Sequence, residues 1–193
     1  MRLHRLEMTA FLAFPGRETV DFDALSEAGL FLLQGPTGAG KSSVLDAVCF
    51  ALYGEVASER PGGEALRSHH ADPGTPTSVV LEVTLQGRRL RIERHPAQER
   101  PKRRGEGTVT DPHRVTVSEL LPGGATRALS SSPQEAGIEL TELIGLRREQ
   151  FRQVVMLPQG GFAQVLHADS SERETLLRRL FDVERFSRVE FWL

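Results

Sequence analysis

The chain has no asparagine, a single cysteine (Cys49), one tryptophan, one tyrosine and only two lysines among its 193 residues. One cysteine excludes an internal disulfide and a cysteine-rich zinc site. A chain without asparagine cannot carry the Asn-Lys-x-Asp signature with which GTPases read guanine. The longest apolar run, Ala47 to Tyr53, has seven residues, whereas a membrane-spanning helix needs about 20. No hydrophobic signal region follows Met1-Arg2-Leu3-His4-Arg5, so the expectation is a cytoplasmic protein with no membrane partner. A net charge of −2 excludes a general polycation.

What is present fits one domain with a real core: 39% of residues are apolar and 26% are charged. Of 24 basic residues all but Lys41 and Lys102 are arginine. Each lysine therefore raises the question of why a compact ammonium stands there and not a forked guanidinium.

Hydropathy patterning predicts α/β architecture. Arg2 to Thr9 and Thr19 to Asp23 read as strands, and Gly29 to Gln34 as a strand covered on both faces. Ser42 to Tyr53 is apolar almost all round, the pattern of a buried helix, with Gly54 to stop it. Residues 55–78 are rich in Gly, Pro, Ser and His and read as surface loop. Val79, Leu81, Val83 and Leu85, then Leu90 and Ile92 beyond Gln86-Gly87, predict a hairpin with one buried face, joined by a strand over Arg114 to Leu121. Ser132-Pro133-Gln134-Glu135 reads as a capping box opening a helix that stops at Gly145. Val154 to Leu157 reads as a short buried strand. A second capping box, Ser171 and Glu174, opens a helix that runs to Phe191-Trp192-Leu193 without a stop signal, which predicts a piece of a longer protein.

Gly35-Pro36-Thr37-Gly38-Ala39-Gly40-Lys41-Ser42 matches G-x-x-x-x-G-K-[ST], the P-loop, between a predicted strand and a predicted helix. The glycines let successive N–H groups converge on one anion, and the helix N-terminus adds its positive end. Lys41 would reach the β- and γ-phosphates of ATP and Ser42 would ligate Mg²⁺, with Ser43 closing the cradle. A Walker B segment, four apolar residues and then aspartate, occurs nowhere in the 193 residues. The rest of the active site must then come from elsewhere, or else the chain is a self-sufficient P-loop phosphotransferase with an unrecognised metal acid.

The opening Met1 to Phe14, Val20-Asp21-Phe22, Gly29 to Ser42 and Leu45 to Gly54 resemble the N-terminal lobe of the SbcC family, SMC-related ABC-type ATPases whose head is split by a long coiled coil. Leu157-Pro158-Gln159-Gly160-Gly161-Phe162 resembles that family's Q-loop. The resemblance implies a P-loop NTPase lobe with a flanking antiparallel β subdomain over 1–182 and the start of a coiled coil over 183–193. It implies Gln159 as a Mg²⁺ ligand beside Ser42, although on the residues alone Gln159 reads equally as a solvated turn. It further implies ATP hydrolysis in the whole protein, in the nucleoid-associated cytoplasm, controlling head dimerisation and a nuclease in DNA-end repair. The partners would be the chain's own C-terminal ATPase lobe, a second head, an SbcD-type nuclease and DNA. Walker B, signature and base would lie in the missing lobe, so residues 1–193 alone are expected to be inactive; other split-head chromosome or repair ATPases share this layout.

Other features carry less. Arg88 to Arg104 holds eight Arg or Lys against two Glu, a local charge of +6. Arg100, Lys102, Arg103 and Arg104 are the candidates for touching DNA phosphates, and the alternative is a solvated strand edge. His69-His70 reads as a surface pair, Asp46 as a carboxylate favoured by the helix dipole, Ser130 to Ser132 as linker and N-cap, and Cys49 as a core thiol.

Overall fold

The computed structural model describes residues 1–27, 29–58, 66–102 and 106–156. The chain divides into two units, Met1–Gly145 and Leu146–Leu193. The first is built on six antiparallel strands: β1 (Arg2–Phe11), β2 (Phe14–Asp21), β3 (Ser78–Leu85), β4 (Arg88–His95), β7 (Arg114–Leu120) and β8 (Thr126–Ser130), in spatial order β2-β1-β3-β4-β7-β8. A separate two-stranded ribbon pairs β5 (Gln98–Pro101) with β6 (Thr108–Asp111).

Period-two alternation sets the faces of the sheet. Leu6, Met8, Val79, Leu81, Val83, Leu85, Leu90, Ile92, Val115 and Val117 are buried, and each such side chain contributes roughly 1.5–3 kcal/mol. On the opposite face Glu82 pairs with Arg89 at 3.0 Å and with Arg91 at 3.5 Å, and Glu7 pairs with Arg5 and Arg17. The β3–β4 hairpin turns at Gln86 (φ 47°) and Gly87 (φ 80°), both left-handed. That is the twist which tight hairpins favour.

The helices are α1 (Phe22–Leu25), α2 (Lys41–Tyr53) and α3 (Pro133–Ile144). Helix α2 packs on β1, β3, β4 and α3. Val44, Ala47, Val48, Cys49, Phe50, Ala51 and Leu52 are buried, as an all-round apolar helix requires. Gly54 ends it at φ 80°, its N–H donating to the Phe50 carbonyl at 2.8 Å, and Gly145 ends α3 in the same way. Among the described residues of the second unit, α4 (Arg148–Phe151) is followed by a π-helical turn, Arg152–Met156.

The expected α/β lobe with a flanking antiparallel sheet is therefore present, with four corrections. Residues 29–34 form no strand: Leu30 is 89% exposed and Leu32 82% exposed, while Phe31 leans on Phe22 at 5.9 Å. A buried strand needs neighbours on both sides, and among the described residues none lies beside this one. The expected strand at Val154 to Leu157 is helical through Met156, with Val154 and Val155 about half exposed; a short apolar run does not by itself separate strand from helix. Thr19 to Asp23 is not one extended stretch, since β2 begins earlier, at Phe14, and Asp21 already caps α1 by accepting from the Ala24 N–H at 3.0 Å. The Ser132–Glu135 capping box does not close. Ser132 is the N-cap with proline following, but it is the Ser130 hydroxyl that meets Glu135, at 3.3 Å. The predicted helix after Ser171 and the 1–182/183–193 boundary lie outside the described residues.

Candidate functional site

The loop 35–40 leads straight into the first turn of α2. Gly38 (φ 86°) and Gly40 (φ 91°) are both left-handed, a conformation that costs other residues about 1–2 kcal/mol. At Gly40 there is also no room. A Cβ there would lie 2.6 Å from Phe14 Cζ, 2.8 Å from Phe14 Cε1 and 3.3 Å from Ala13 Cβ. The glycine thus permits both the bend and the close seating of the β1–β2 turn against the helix N-terminus.

The Lys41 ammonium donates to the carbonyls of Gly35 and Pro36, each at 2.7 Å. It therefore lies over the loop and not out in solvent. Gly35, Pro36, Thr37, Gly38, Ala39 and Ser42 are exposed, whereas Gly40 and Ser43 are buried. The Ala39 N–H turns back to the Pro36 carbonyl at 3.2 Å, and the Val44 N–H donates to the Gly40 carbonyl at 3.1 Å. The structure accordingly brings Gly35 through Ser43 together in one glycine-shaped bend at a helix N-terminus, exposed at Gly35 to Ala39 and Ser42 and seated in the fold at Gly40 and Ser43. An ammonium folded over a glycine-rich loop at a helix N-terminus is chemistry that suits a polyphosphate. Gln159 lies outside the described residues.

The turn that borders the cradle is strained. Ala10 (φ 48°) sits where the β1–β2 register shifts, and Leu12 (φ 49°) follows. The Ala10 carbonyl accepts from the Ser68 N–H at 2.9 Å and from the Thr77 hydroxyl at 3.1 Å. These bonds hold in place a turn whose residues cost roughly 1–3 kcal/mol each. Sequence reasoning passed over Phe14; an aromatic directly after a glycine-free turn was the only signal.

Asp46 has a different role from the one expected. It is 2% exposed, on the second turn of α2, and accepts from the Ser58 N–H at 2.8 Å and the Ser58 hydroxyl at 2.9 Å. It ties the segment after the helix back to the helix, which the dipole reading did not anticipate. Two further residues inside the expected surface loop, Ser68 and Thr77, are buried.

The basic stretch is largely engaged within the fold. Arg88 meets Glu119 at 3.0 Å, and hydrogen bonds from Arg88 and Arg127 hold the Glu119 carboxyl below its usual range. Arg89 and Arg91 hold Glu82, Arg94 is buried, and Arg100 Nε donates to both oxygens of Asp111 at 2.9 and 3.1 Å. Lys102 is exposed near the tip of the β5–β6 ribbon, its N–H donating to the Gly107 carbonyl at 3.1 Å. Arg103 and Arg104 lie outside the described residues. His69 and His70 are exposed. Among the described residues no group of three His, Cys, Asp or Glu is placed to hold a metal, and no helix is long and apolar enough to cross a membrane.

Residues 5–185 match the model of a family described as an AAA domain. The chain is 44% identical over 190 residues to the SbcC component of the nuclease SbcCD of Vibrio cholerae, covering 98% of this chain and 19% of that protein. It is 34% identical over 170 residues to the Lactococcus lactis protein of the same name, covering 87% of this chain and 16% of the relative. The Staphylococcus epidermidis protein is 33% identical over 178 residues, covering 92% and 17%. The chain thus spans less than a fifth of the length of these curated relatives.

Proposed function

The chain belongs to the AAA-domain family, and on that premise we propose that it is the ATP-binding half of an SMC-like DNA-repair ATPase. The observation that carries this reading is the cradle at residues 35–43, with the Lys41 ammonium turned over it. Backbone N–H groups of 38–43 and Lys41 would bind the triphosphate, and Ser42 with Gln159 would hold Mg²⁺. Magnesium bound there would neutralise charge on the β- and γ-phosphates. The donor set fits a hard cation only in combination with phosphate oxygens, since one hydroxyl and one amide are too few alone.

Hydrolysis then belongs to the whole protein. No Walker B segment is present in the 193 residues, so the chain's own C-terminal lobe would supply metal acid and base, and a second head would cover the nucleotide. The exposed apolar segment at Leu30 to Leu32 supports this, because strands brought by that lobe would bury it. The nuclease partner, an SbcD-type protein in the relatives' naming, and DNA ends are read across from those names. Lys102, near the ribbon tip, remains the described DNA-contact candidate, with Arg103 and Arg104 as candidates from the sequence alone; Arg100 is committed to Asp111.

The test compares MgATP binding and turnover by the full-length protein, by its Lys41→Ala variant and by residues 1–193 alone. The expected result is binding lost by roughly 10–100-fold on removing the ammonium, whose charge-assisted hydrogen bonds contribute about 1.5–3 kcal/mol, and negligible turnover by residues 1–193. Robust magnesium-dependent turnover or phosphorylated product from residues 1–193 would instead favour a self-sufficient phosphotransferase.

A further inference from the structure

The side chain of Arg94 is 1% exposed and stands on the core-facing row of β4, where Leu90 and Ile92 precede it. Its Nε donates to the Ala51 carbonyl at 2.7 Å and its Nη2 to the Leu52 carbonyl at 3.2 Å, while Nη1 faces His113 Nε2 at 3.4 Å. Among the described residues no carboxylate pairs with it. Burial pushes the guanidinium down to about 10, so it is still charged at neutral pH. An enclosed cation without an anion carries a desolvation penalty of several kcal/mol, and a methionine would fill the same space without it.

What the cation receives in return is the last turn of α2. Ala51 and Leu52 are among the final residues whose carbonyls have no partner within the helix, and a positive charge there complements the negative end of its dipole. Its neighbours lie close around it. The His113 ring packs on Phe50 with centroids 6.2 Å apart. A Cβ on Gly54 would lie 3.1 Å from Arg94 Nη1 and 3.3 Å from His113 Cε1.

Helix α2 has the phosphate cradle at one end and this clamp at the other, with Lys41 and Ala51 ten residues apart, about 15 Å of rigid rod. Its position along its own axis is weakly fixed by an apolar surface, which tolerates sliding, and strongly fixed by directional hydrogen bonds to its terminal carbonyls. We propose that Arg94 is a positioning residue for the nucleotide site, setting the axial position and tilt of α2 from its far end. The inference rests on the reading that residues 35–43 bind ATP.

The experiment titrates full-length protein with a fluorescent ATP analogue and Mg²⁺, and records thermal unfolding of the same samples. Arg94→Met is expected to weaken binding about tenfold, the scale on which sub-ångström misplacement acts. Arg94→Lys keeps the charge but has one nitrogen in place of the fork that meets the Ala51 and Leu52 carbonyls, and should weaken binding by less than Arg94→Met. Leu90→Ala, a neighbouring core truncation that lowers stability by about 2–5 kcal/mol, should leave binding within about twofold. Binding by Arg94→Met within twofold of the parent, or an equal loss in Leu90→Ala, would overturn the proposal by making Arg94 a stability residue only. Should Arg94→Met not fold, Arg94→Gln carries the test, with about threefold weaker binding expected and unchanged binding overturning it. Lys41→Ala runs in parallel: undiminished binding there refutes the nucleotide reading and the positioning role with it, whereas loss there with none in Arg94→Met refutes the positioning role alone.

Discussion

Replacing Gly40 with alanine should damage the cradle by two separable routes. The first is conformational: φ 91° is a left-handed backbone, costing an L-residue with a Cβ about 1–2 kcal/mol. The second is steric, because the new methyl would lie 2.6 Å from Phe14 Cζ and 2.8 Å from Cε1. Contact that close forces the ring or the helix to move, and overpacking of this kind costs typically about 1–3 kcal/mol. Together they amount to roughly 2–5 kcal/mol, concentrated at the start of α2. Amide exchange over residues 35–45 in the full-length protein should therefore accelerate by two orders of magnitude or so, at about 1.4 kcal/mol per factor of ten. Phe14→Ala in the Gly40→Ala background should recover the steric part and leave the conformational part. Exchange in Gly40→Ala within threefold of the parent, or a double variant no better than the single, would refute the reasoning.

Two other substitutions follow from the site's surroundings. Asp46→Ala should release the segment at Ser58 and cost roughly 3 kcal/mol, since it strands two donors that a buried carboxylate now satisfies; limited proteolysis at residues 54–58 reads the release, and unchanged cleavage contradicts it. His113 has its pKa lowered from the ordinary value of 6.5 by burial and then by Arg94, so the fold favours the neutral ring. That stability is fully present above pH 6.5 and is lost as pH falls towards the lower folded value. His113→Gln should therefore unfold with a flatter pH dependence between about 7.5 and 5.5, and an equally steep fall in the variant would show that His113 does not titrate there.

How far the sequence leads is clear from particular residues. The loop's shape was legible because it is set locally: Gly38 and Gly40 are both left-handed, and Lys41 folds back onto the Gly35 and Pro36 carbonyls within one short loop and the helix turn that follows. The β3–β4 hairpin and α2 were legible because alternation, Gln86-Gly87 and Gly54 encode them in short range. Residues 29–34 misled for the opposite reason. Their apolar run has the pattern of a covered strand, yet among the described residues no strand lies beside it, and a short apolar run does not by itself supply a neighbour. Asp46 and Arg94 were illegible as tethers because their partners, Ser58 and the Ala51 and Leu52 carbonyls, are met only through folding. The basic stretch read as a patch because charge counts ignore pairing, and Glu82, Glu119 and Asp111 sit across the strands from it. Membership of the AAA-domain family rests on the match of its model to residues 5–185, which no single motif could have established.

The most direct measurement is a crystal structure of the full-length head with a non-hydrolysable ATP analogue and Mg²⁺. The account predicts the triphosphate against the backbone N–H groups of residues 38–43, with Lys41 Nζ withdrawn from the Gly35 and Pro36 carbonyls to meet phosphate oxygens. An analogue bound elsewhere, with that ammonium still on the two carbonyls, would contradict it.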